Sequence, residues 1–322
     1  MAASFEEFQS RIQKLYQAGE YQLAFDLSSG SLSLFPDQYL LLNYWRICLA
    51  VHLDRQSEAL SLLKAVLDNG SWYGEILLRQ SPALLPLQGQ AEYETLVERN
   101  QRLQALDQEA LYPLLILRPQ QACQDDEHPC PVLLALHAEG STASACLDFW
   151  KPAALHGWLV AAAQSSQAMW KDAYVWDNYD ITQDEIQHHL QSLAARYAID
   201  PQRTVIAGYY IGGEVAIWLA LSGAVDVSGF IALAPGSPNL AEPDNSWKGM
   251  AERAAGRRLR GCLVYGDADP SISIQWVKTL AGMLQLAGVP CRLERLPGVG
   301  HSYHPAYAAA LLSALNFIEH PK

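Results

Sequence analysis

The chain has 322 residues, of which half are hydrophobic, and a formal net charge of −12. This length and apolar content are sufficient for about two domains with sizeable cores. The negative charge argues against nucleic acid or an anionic membrane as a partner, because both bind clustered lysine and arginine. No basic, apolar leader begins the chain, and no apolar run reaches the ~18 residues of a membrane span, so we expect a cytoplasmic protein.

Residues 1–107 have helical patterning throughout. Ala24 and Ala59 follow two similar turns and lie 35 positions apart (59 − 24), close to the ~34-residue period of tetratricopeptide hairpins. We therefore predict an all-helical domain over 1–107 that resembles such hairpins and offers a surface for a protein partner. The predicted helices are Phe5–Ala18, Tyr21–Leu27, Tyr39–Leu53, Ser57–Leu67 and Ala91–Leu106.

Residues 108–322 differ, because short aliphatic runs alternate with helical stretches. Near-continuous apolar strands between helices predict a mostly parallel sheet with helices on both faces. In the helix predicted over Gln183–Ala198, one face carries the apolar residues Ile186, Leu190, Leu193 and Tyr197. The two histidines at 188–189 lie on a polar face, and we expect them to be solvated. Segments 120–129 and 236–246 read as loops. The predicted strands are Pro131–Leu136, Trp158–Ala163, Thr204–Ala207, Phe230–Leu233, Cys262–Tyr265 and Cys291–Leu296.

No metal or cofactor motif is visible. His301 and His304 are spaced i, i+3 but lack a third ligand motif, so we expect them to be loop residues. The six cysteines are dispersed without a C-x-x-C pair, which favours reduced thiols that mostly serve packing. They are Cys48, Cys123, Cys130, Cys146, Cys262 and Cys291.

Three segments that follow predicted strands carry chemistry. The first is a Gly-x-X-x-Gly turn from Gly208 to Gly212 with Tyr210 at its centre. The second is Gly-Asp-Ala-Asp-Pro, which contains Asp269, and the third is Gly-Val-Gly-His, which ends at His301. Each segment alone is weak evidence for a fold. Their order along the chain, the glycine-flanked turn (the elbow), then the acid, then the histidine, is that of α/β-hydrolases.

From about Pro131 onward, the chain resembles the phospholipase/carboxylesterase branch of the α/β-hydrolases, which includes dienelactone-hydrolase-like esterases. The segments that carry the resemblance are residues 133–137, 207–213, 266–270 and 300–301, together with 196–201 before the elbow strand. The resemblance implies an α/β-hydrolase fold over 108–322 and a small acyl or ester ligand. It does not extend to the helical domain.

The resemblance also implies residue roles. Asp269 takes the position of the catalytic acid and His301 that of the base, with Asp267 as a competitor that more plausibly supports the turn. The oxyanion hole would use the N–H groups of Ile211 and of Glu139. The family usually has His-Gly where this chain has His-Ala-Glu-Gly (137–140), and His137 is expected to hold that loop rather than act chemically.

Tyr210 stands at the nucleophile position, where the family carries serine. A tyrosine hydroxyl lies several ångströms further from the backbone than a serine hydroxyl, and phenolate is a good leaving group, so serine-type acyl transfer does not carry over.

Two hypotheses about the function stay open. The chain is a degenerate hydrolase, a pseudoenzyme that binds an acyl or ester ligand or a protein partner. Alternatively it is an active carboxylic-ester hydrolase that uses Asp269 and His301 with Tyr210 or an activated water.

Overall fold

The computed structural model describes residues 4–107, 113–119, 128–236 and 245–320. The chain divides into two compact units. The first comprises Met1–Leu111 together with Ala168–Ala173, and the second comprises Tyr112–Gln167 and Tyr174–Lys322. The chain therefore leaves the second unit for six residues and then returns to it.

Within residues 4–107 the first unit is helical, as the patterning predicted. Ala24 and Ala59 are fully buried, each on the second helix of a contacting pair, which is compatible with tetratricopeptide-like hairpins. Two 3₁₀ turns, Pro36–Gln38 and Pro82–Leu87, link the helices. The helices are α1 (Phe5–Gln17), α2 (Tyr21–Gly30), α3 (Tyr39–His52), α4 (Gln56–Asp68), α5 (Glu75–Arg79) and α6 (Ala91–Asp107).

The second unit is built on a mostly parallel sheet. Among the described residues this sheet has seven strands in the order β1-β3-β2-β6-β7-β8-β9, and only β1 runs antiparallel to its neighbour. Strands β2, β3 and β7 are buried along their length, which explains why they read as continuous apolar runs. The strands are β1 (Leu114–Leu117), β2 (Cys130–Leu136), β3 (Leu159–Ala163), β6 (Ile199–Tyr209), β7 (Gly229–Leu233), β8 (Arg260–Gly266) and β9 (Cys291–Leu296).

Helices connect these strands and form two groups. One contains α7 and α12, which contact each other, and the other contains α9, α10 and α11 in sequence. On α8 the predicted face is confirmed, because Ile186 and Leu193 are fully buried and Leu190 and Tyr197 pack against the same core. The helices are α7 (Ala143–Leu155), α8 (Tyr179–Arg196), α9 (Ile211–Ser222), α10 (Asn245–Ala254), α11 (Ile274–Leu286) and α12 (Ala306–Glu319).

Several expectations need correction. The sequence reading missed β1 and the small hairpin of β4 (Ala168–Trp170) and β5 (Ala173–Tyr174). The expectation of a solvated pair at 188–189 is wrong for His189, which is buried, and burial lowers the pKa of its imidazole to about 4. Most of the predicted loops, 120–127 and 237–244, lies outside the described residues.

The cysteine prediction is confirmed for four thiols and wrong for one. Cys48, Cys146, Cys262 and Cys291 are free and buried. Cys130 is disulfide-bonded, and Cys123 lies outside the described residues. Within the described ranges, no helix is both long and apolar enough to cross a bilayer.

Candidate active site

The turn between β6 and α9 holds Tyr210 in a conformation that few side chains adopt. Tyr210 has φ 56° and ψ −120°, its N–H donates to the carbonyl of Leu233 over 2.9 Å, and α9 begins at the next residue. A non-glycine residue at positive φ costs roughly 1–3 kcal/mol and persists only where the surrounding structure holds it. The strand, sharp turn and helix predicted around Tyr210 are therefore all present.

Two glycines let this turn pack closely. A Cβ atom on Gly208 would lie 2.1 Å from the carbonyl carbon of Gly212, and one on Gly212 would lie 2.4 Å from the carbonyl oxygen of His137. The first turn of α9 thus lies directly against the backbone that follows β2. The N–H of Ile211, which the helix leaves without an intrahelical partner, is consequently near the segment that contains Glu139.

Asp269 and His301 form a hydrogen-bonded pair after strands β8 and β9. His301 Nδ1 lies 2.9 Å from Asp269 Oδ2, and Asp269 Oδ1 accepts the N–H of Ser271 over 2.8 Å. Asp269 is only 4% exposed. Close packing brings the two loops together, since a Cβ on Gly266 would lie 2.2 Å from the carbonyl oxygen of Val299. The buried carboxylate is placed to fix the orientation of the imidazole, as a catalytic acid–base pair requires.

Asp267 has a different role from Asp269. Its carboxylate accepts from the guanidinium of Arg295 and, over 2.6 Å, from the N–H of Gly298. These hydrogen bonds lower the pKa of Asp267. The prediction that Asp267 supports the turn is confirmed, because its carboxylate binds Arg295 and Gly298 before His301 and does not bind the imidazole.

His137 is fully buried below the loop after β2. Its Nδ1 donates to the carbonyl of Ala138 over 2.8 Å, and its Nε2 accepts the N–H of Ser165 over 3.3 Å. The carbonyl of His137 accepts from the indole N–H of Trp176. Burial lowers the pKa of this imidazole to about 4, so it is neutral. These contacts agree with the expectation that His137 holds the loop.

Tyr210 lies with its ring, rather than its hydroxyl, against His301. The ring centroids are 4.6 Å apart and the planes meet at 76°. Within the described parts of the chain, no hydrogen bond joins the Tyr210 hydroxyl to the imidazole. Tyr210 is 8% exposed, and burial raises the pKa of its phenol above the ordinary value, with the carboxylates of Glu139 and Asp269 adding to the shift.

Glu139 contributes charge as well as a backbone N–H to this edge of the sheet. Its side chain as a whole is exposed, yet desolvation of the carboxyl raises its pKa, and the charge of Asp177 adds to this while His301 opposes it. The charge of the Glu139 carboxylate thus acts on both Tyr210 and His301, and it would disfavour negative charge that develops on a carbonyl oxygen beside them. The Glu139 side chain therefore opposes the chemistry that its N–H would support.

An aromatic cluster beside His301 was not predicted from the sequence. Tyr209 lies 5.4 Å from His301 and 4.5 Å from Tyr303, and Phe149 lies 4.6 Å from Tyr303, as ring centroids. Tyr307 contacts both Tyr209 and Phe149. The sequence signals for it were the doubled tyrosine of the elbow and Tyr303, which lies between His301 and His304 in the chain. The cluster gives the site an apolar wall.

Metal ligation receives no support from the geometry. Among the described residues, no group of three or more His, Cys, Asp or Glu side chains is arranged to hold an ion. His304 is exposed, and its Nδ1 accepts the N–H of Ala306 at the start of α12. His304 thus lies in the loop before α12.

Residues 152–319, just over half of the chain, match the model of the phospholipase/carboxylesterase family. The chain belongs to this family. The matched span contains Tyr210, Asp269 and His301, whereas Glu139 precedes it. No curated protein has a significantly similar sequence.

Solved structures agree with this family at the level of the fold. An uncharacterized protein from Bacillus cereus is 20% identical with a TM-score of 0.54, and the match covers 99% of this chain and 100% of that one. A carboxylesterase from Mesorhizobium loti is 16% identical with a TM-score of 0.50, over 65% of this chain and 95% of that one. Esterase 2 of Thermogutta terrifontis, phosphorylated by paraoxon, is 16% identical with a TM-score of 0.50, and the match covers 65% of this chain and 90% of that one. At such identities the likeness shows a shared fold.

Proposed function

We propose that this member of the phospholipase/carboxylesterase family binds an acyl or ester ligand at the edge formed by Tyr210, Asp269 and His301, and that it does not hydrolyse the ligand by the serine mechanism. The observation that carries the proposal is Tyr210 at the elbow, with its ring against His301 at 4.6 Å. In this role the chain is a pseudoenzyme with the fold of an esterase.

The environment of Tyr210 argues against a tyrosine nucleophile. Attack on a carbonyl requires the general base to take the hydroxyl proton. Burial and the nearby carboxylates of Glu139 and Asp269 raise the pKa of this phenol, so its proton is held more tightly than in free tyrosine. An acyl group on a phenol oxygen would also be lost readily, because phenolate is a good leaving group.

The charges at the site favour a neutral ligand. Glu139 and Asp269 place two carboxylates around Tyr210, and a carboxylate ligand would be repelled by both. An ester or amide carbonyl has no such cost and would accept from the N–H groups of Ile211 and Glu139. The rings of Tyr209 and Tyr303 would contact an apolar acyl chain. A neutral acyl ester is thus the ligand class that suits these residues.

A second function has one observation in its favour. Asp269 and His301 keep a 2.9 Å hydrogen bond in a buried setting. That pair would suffice for His301 to activate a water molecule that attacks an ester directly. Hydrolysis through water is therefore the alternative, with the same residues as acid and base. Binding of a protein partner by the helical unit stays a prediction.

A fluorophosphonate probe and a panel of p-nitrophenyl esters test the proposal. We expect no labelling of the natural protein and no turnover that depends on His301. Tyr210→Ser places a short nucleophile beside His301 and should restore labelling, with Tyr210→Ala as the matched control that should stay unlabelled. Hydrolysis by the natural protein that His301→Ala abolishes would support the water-based alternative and contradict the pseudoenzyme.

A further inference from the structure

A surface cavity is lined by helices α8, α9 and α10 of the second unit. It is a solvent-open cleft of about 550 Å³, lined by the start of α8, by Glu214 and Trp218 of α9, and by α10. Tyr210, Asp269 and His301 do not line it. Its lining residues, all within the described part of the second unit, are Tyr179, Glu214, Trp218, Ser246, Trp247, Gly249, Met250 and Arg253.

The floor of this cleft contains a buried carboxyl group. Glu214 is 5% exposed, and its Oε1 accepts the hydroxyl of Tyr179 over 3.1 Å. Among the described residues, no Lys, Arg or His forms an ion pair with it. Burial raises the pKa of Glu214 to about 7. A buried carboxylate without a countercharge is costly, and a cationic ligand would remove that cost.

Aromatic side chains form the walls of the same cleft. The rings of Tyr179 and Trp218 lie 4.7 Å apart at an interplanar angle of 39°, and Trp247 is almost fully buried on the facing helix. Aromatic faces attract cations through their quadrupole, and the attraction grows when the cation is desolvated. Quaternary ammonium groups suit such walls because they are weakly hydrated and make no hydrogen bonds that burial would break.

From this geometry we propose that the cleft between α8, α9 and α10 binds a small quaternary ammonium compound, with Glu214 as its countercharge and Tyr179, Trp218 and Trp247 as its aromatic walls. Arg253 is exposed at the end of α10 and also lines the cleft. The guanidinium would repel a second cationic group and attract an anionic one. A ligand with one ammonium group, alone or with an acidic tail, therefore fits better than a polyamine.

Isothermal titration calorimetry with choline chloride tests the proposal, at constant chloride concentration. The matched ligand is 3,3-dimethyl-1-butanol, which has the shape of choline without its charge. We expect choline to bind at least roughly tenfold more tightly, because the neutral compound lacks both the cation–π attraction and the charge pair. Ethanolamine, a primary ammonium of similar length, should bind more weakly than choline.

Protein variants locate the site. Glu214→Gln keeps an oxygen for the Tyr179 hydroxyl but removes the charge, and Trp218→Leu removes an aromatic wall; each should weaken choline binding by roughly tenfold or more. Glu252→Gln, an exposed carboxyl on α10, is the control that should leave binding unchanged. Circular dichroism checks that the variants fold. Absence of choline binding, equal binding of the neutral compound or of ethanolamine, or unchanged binding by Glu214→Gln would overturn the proposal.

Discussion

The two sides of the candidate active site differ in how well they would serve ester hydrolysis. At the ends of β8 and β9, Asp269 is buried and bonded to His301 at 2.9 Å, as an acid–base pair needs. At the ends of β2 and β6, Tyr210 occupies the elbow and the Glu139 carboxyl adds negative charge. Backbone geometry is kept on both sides, whereas the side chains suit hydrolysis on one side only. Close backbone packing at Gly208 and Gly212 thus accounts for the sharp turn at Tyr210 independently of the chemistry of its side chain.

The largest expected effect concerns the acid–base side. In the Tyr210→Ser background, Asp269→Asn should reduce kcat/KM for p-nitrophenyl acetate by about 10³–10⁴, because the imidazole loses the carboxylate that orients it. In the natural protein the same change should leave the rate at the uncatalysed level. Asp267→Asn is the matched control, because its partners are Arg295 and Gly298, and it should retain most of the activity. Equal losses for both aspartates would contradict the assignment of the acid.

The next effect concerns Glu214, one turn after Tyr210. An ordinary carboxyl ionises near pH 4.5 and Glu214 in the folded state near 7, so between these values the folded protein holds more protons and stability falls as pH rises. Glu214→Gln should raise the free energy of unfolding by about 2–3 kcal/mol at pH 8 and by little at pH 4. Urea unfolding at both pH values measures this. A gain that does not depend on pH would show that ionisation of Glu214 is not the cause.

A third prediction tests the close packing on the elbow side. Gly212→Ala should destabilise the protein by about 1–3 kcal/mol, because its Cβ would meet backbone oxygen at 2.4 Å. Gly282→Ala on α11, where nothing lies within 4 Å of the added atom, should instead stabilise it by about 0.5–1 kcal/mol. Thermal unfolding of the pair distinguishes a steric conflict from a general intolerance of alanine. Similar stabilities for the two variants would refute the close approach of α9 to His137.

The smallest effect concerns the charge near the oxyanion site. In the Tyr210→Ser background, Glu139→Gln should raise the rate of fluorophosphonate labelling by roughly tenfold, since one carboxylate near the developing oxyanion is removed. Asp269 already stabilises the positive charge that develops on His301, so removing the Glu139 charge should cost little stabilisation of the imidazolium. Asp177→Asn, which removes a carboxyl that acts on Glu139 rather than on Tyr210, is the comparison. A slower reaction of Glu139→Gln would mean that its charge chiefly stabilises the imidazolium.

The sequence predicted the backbone of the site better than its surroundings. Apolar strands, glycines and the order of Tyr210, Asp269 and His301 are local signals, and each appeared where expected. The aromatic contacts of Tyr209 with Tyr303 depend on helices and loops that come together only in the fold. Burial of His189 likewise could not be read from a helix face that looks polar. The edge strand β1 was missed because four residues carry too little periodicity.

The short segment Ala168–Ala173 has a consequence for how the protein is made. Its residues complete the first unit: the N–H of Gly74 donates to the carbonyl of Met169, and Lys171 pairs with Asp107 at 2.6 Å. During synthesis, residues 1–107 leave the ribosome some sixty residues before this segment. The first unit must therefore wait, with part of its surface uncovered, until β2, α7 and β3 have been translated. Removing everything after residue 107 would leave it permanently in that unfinished state.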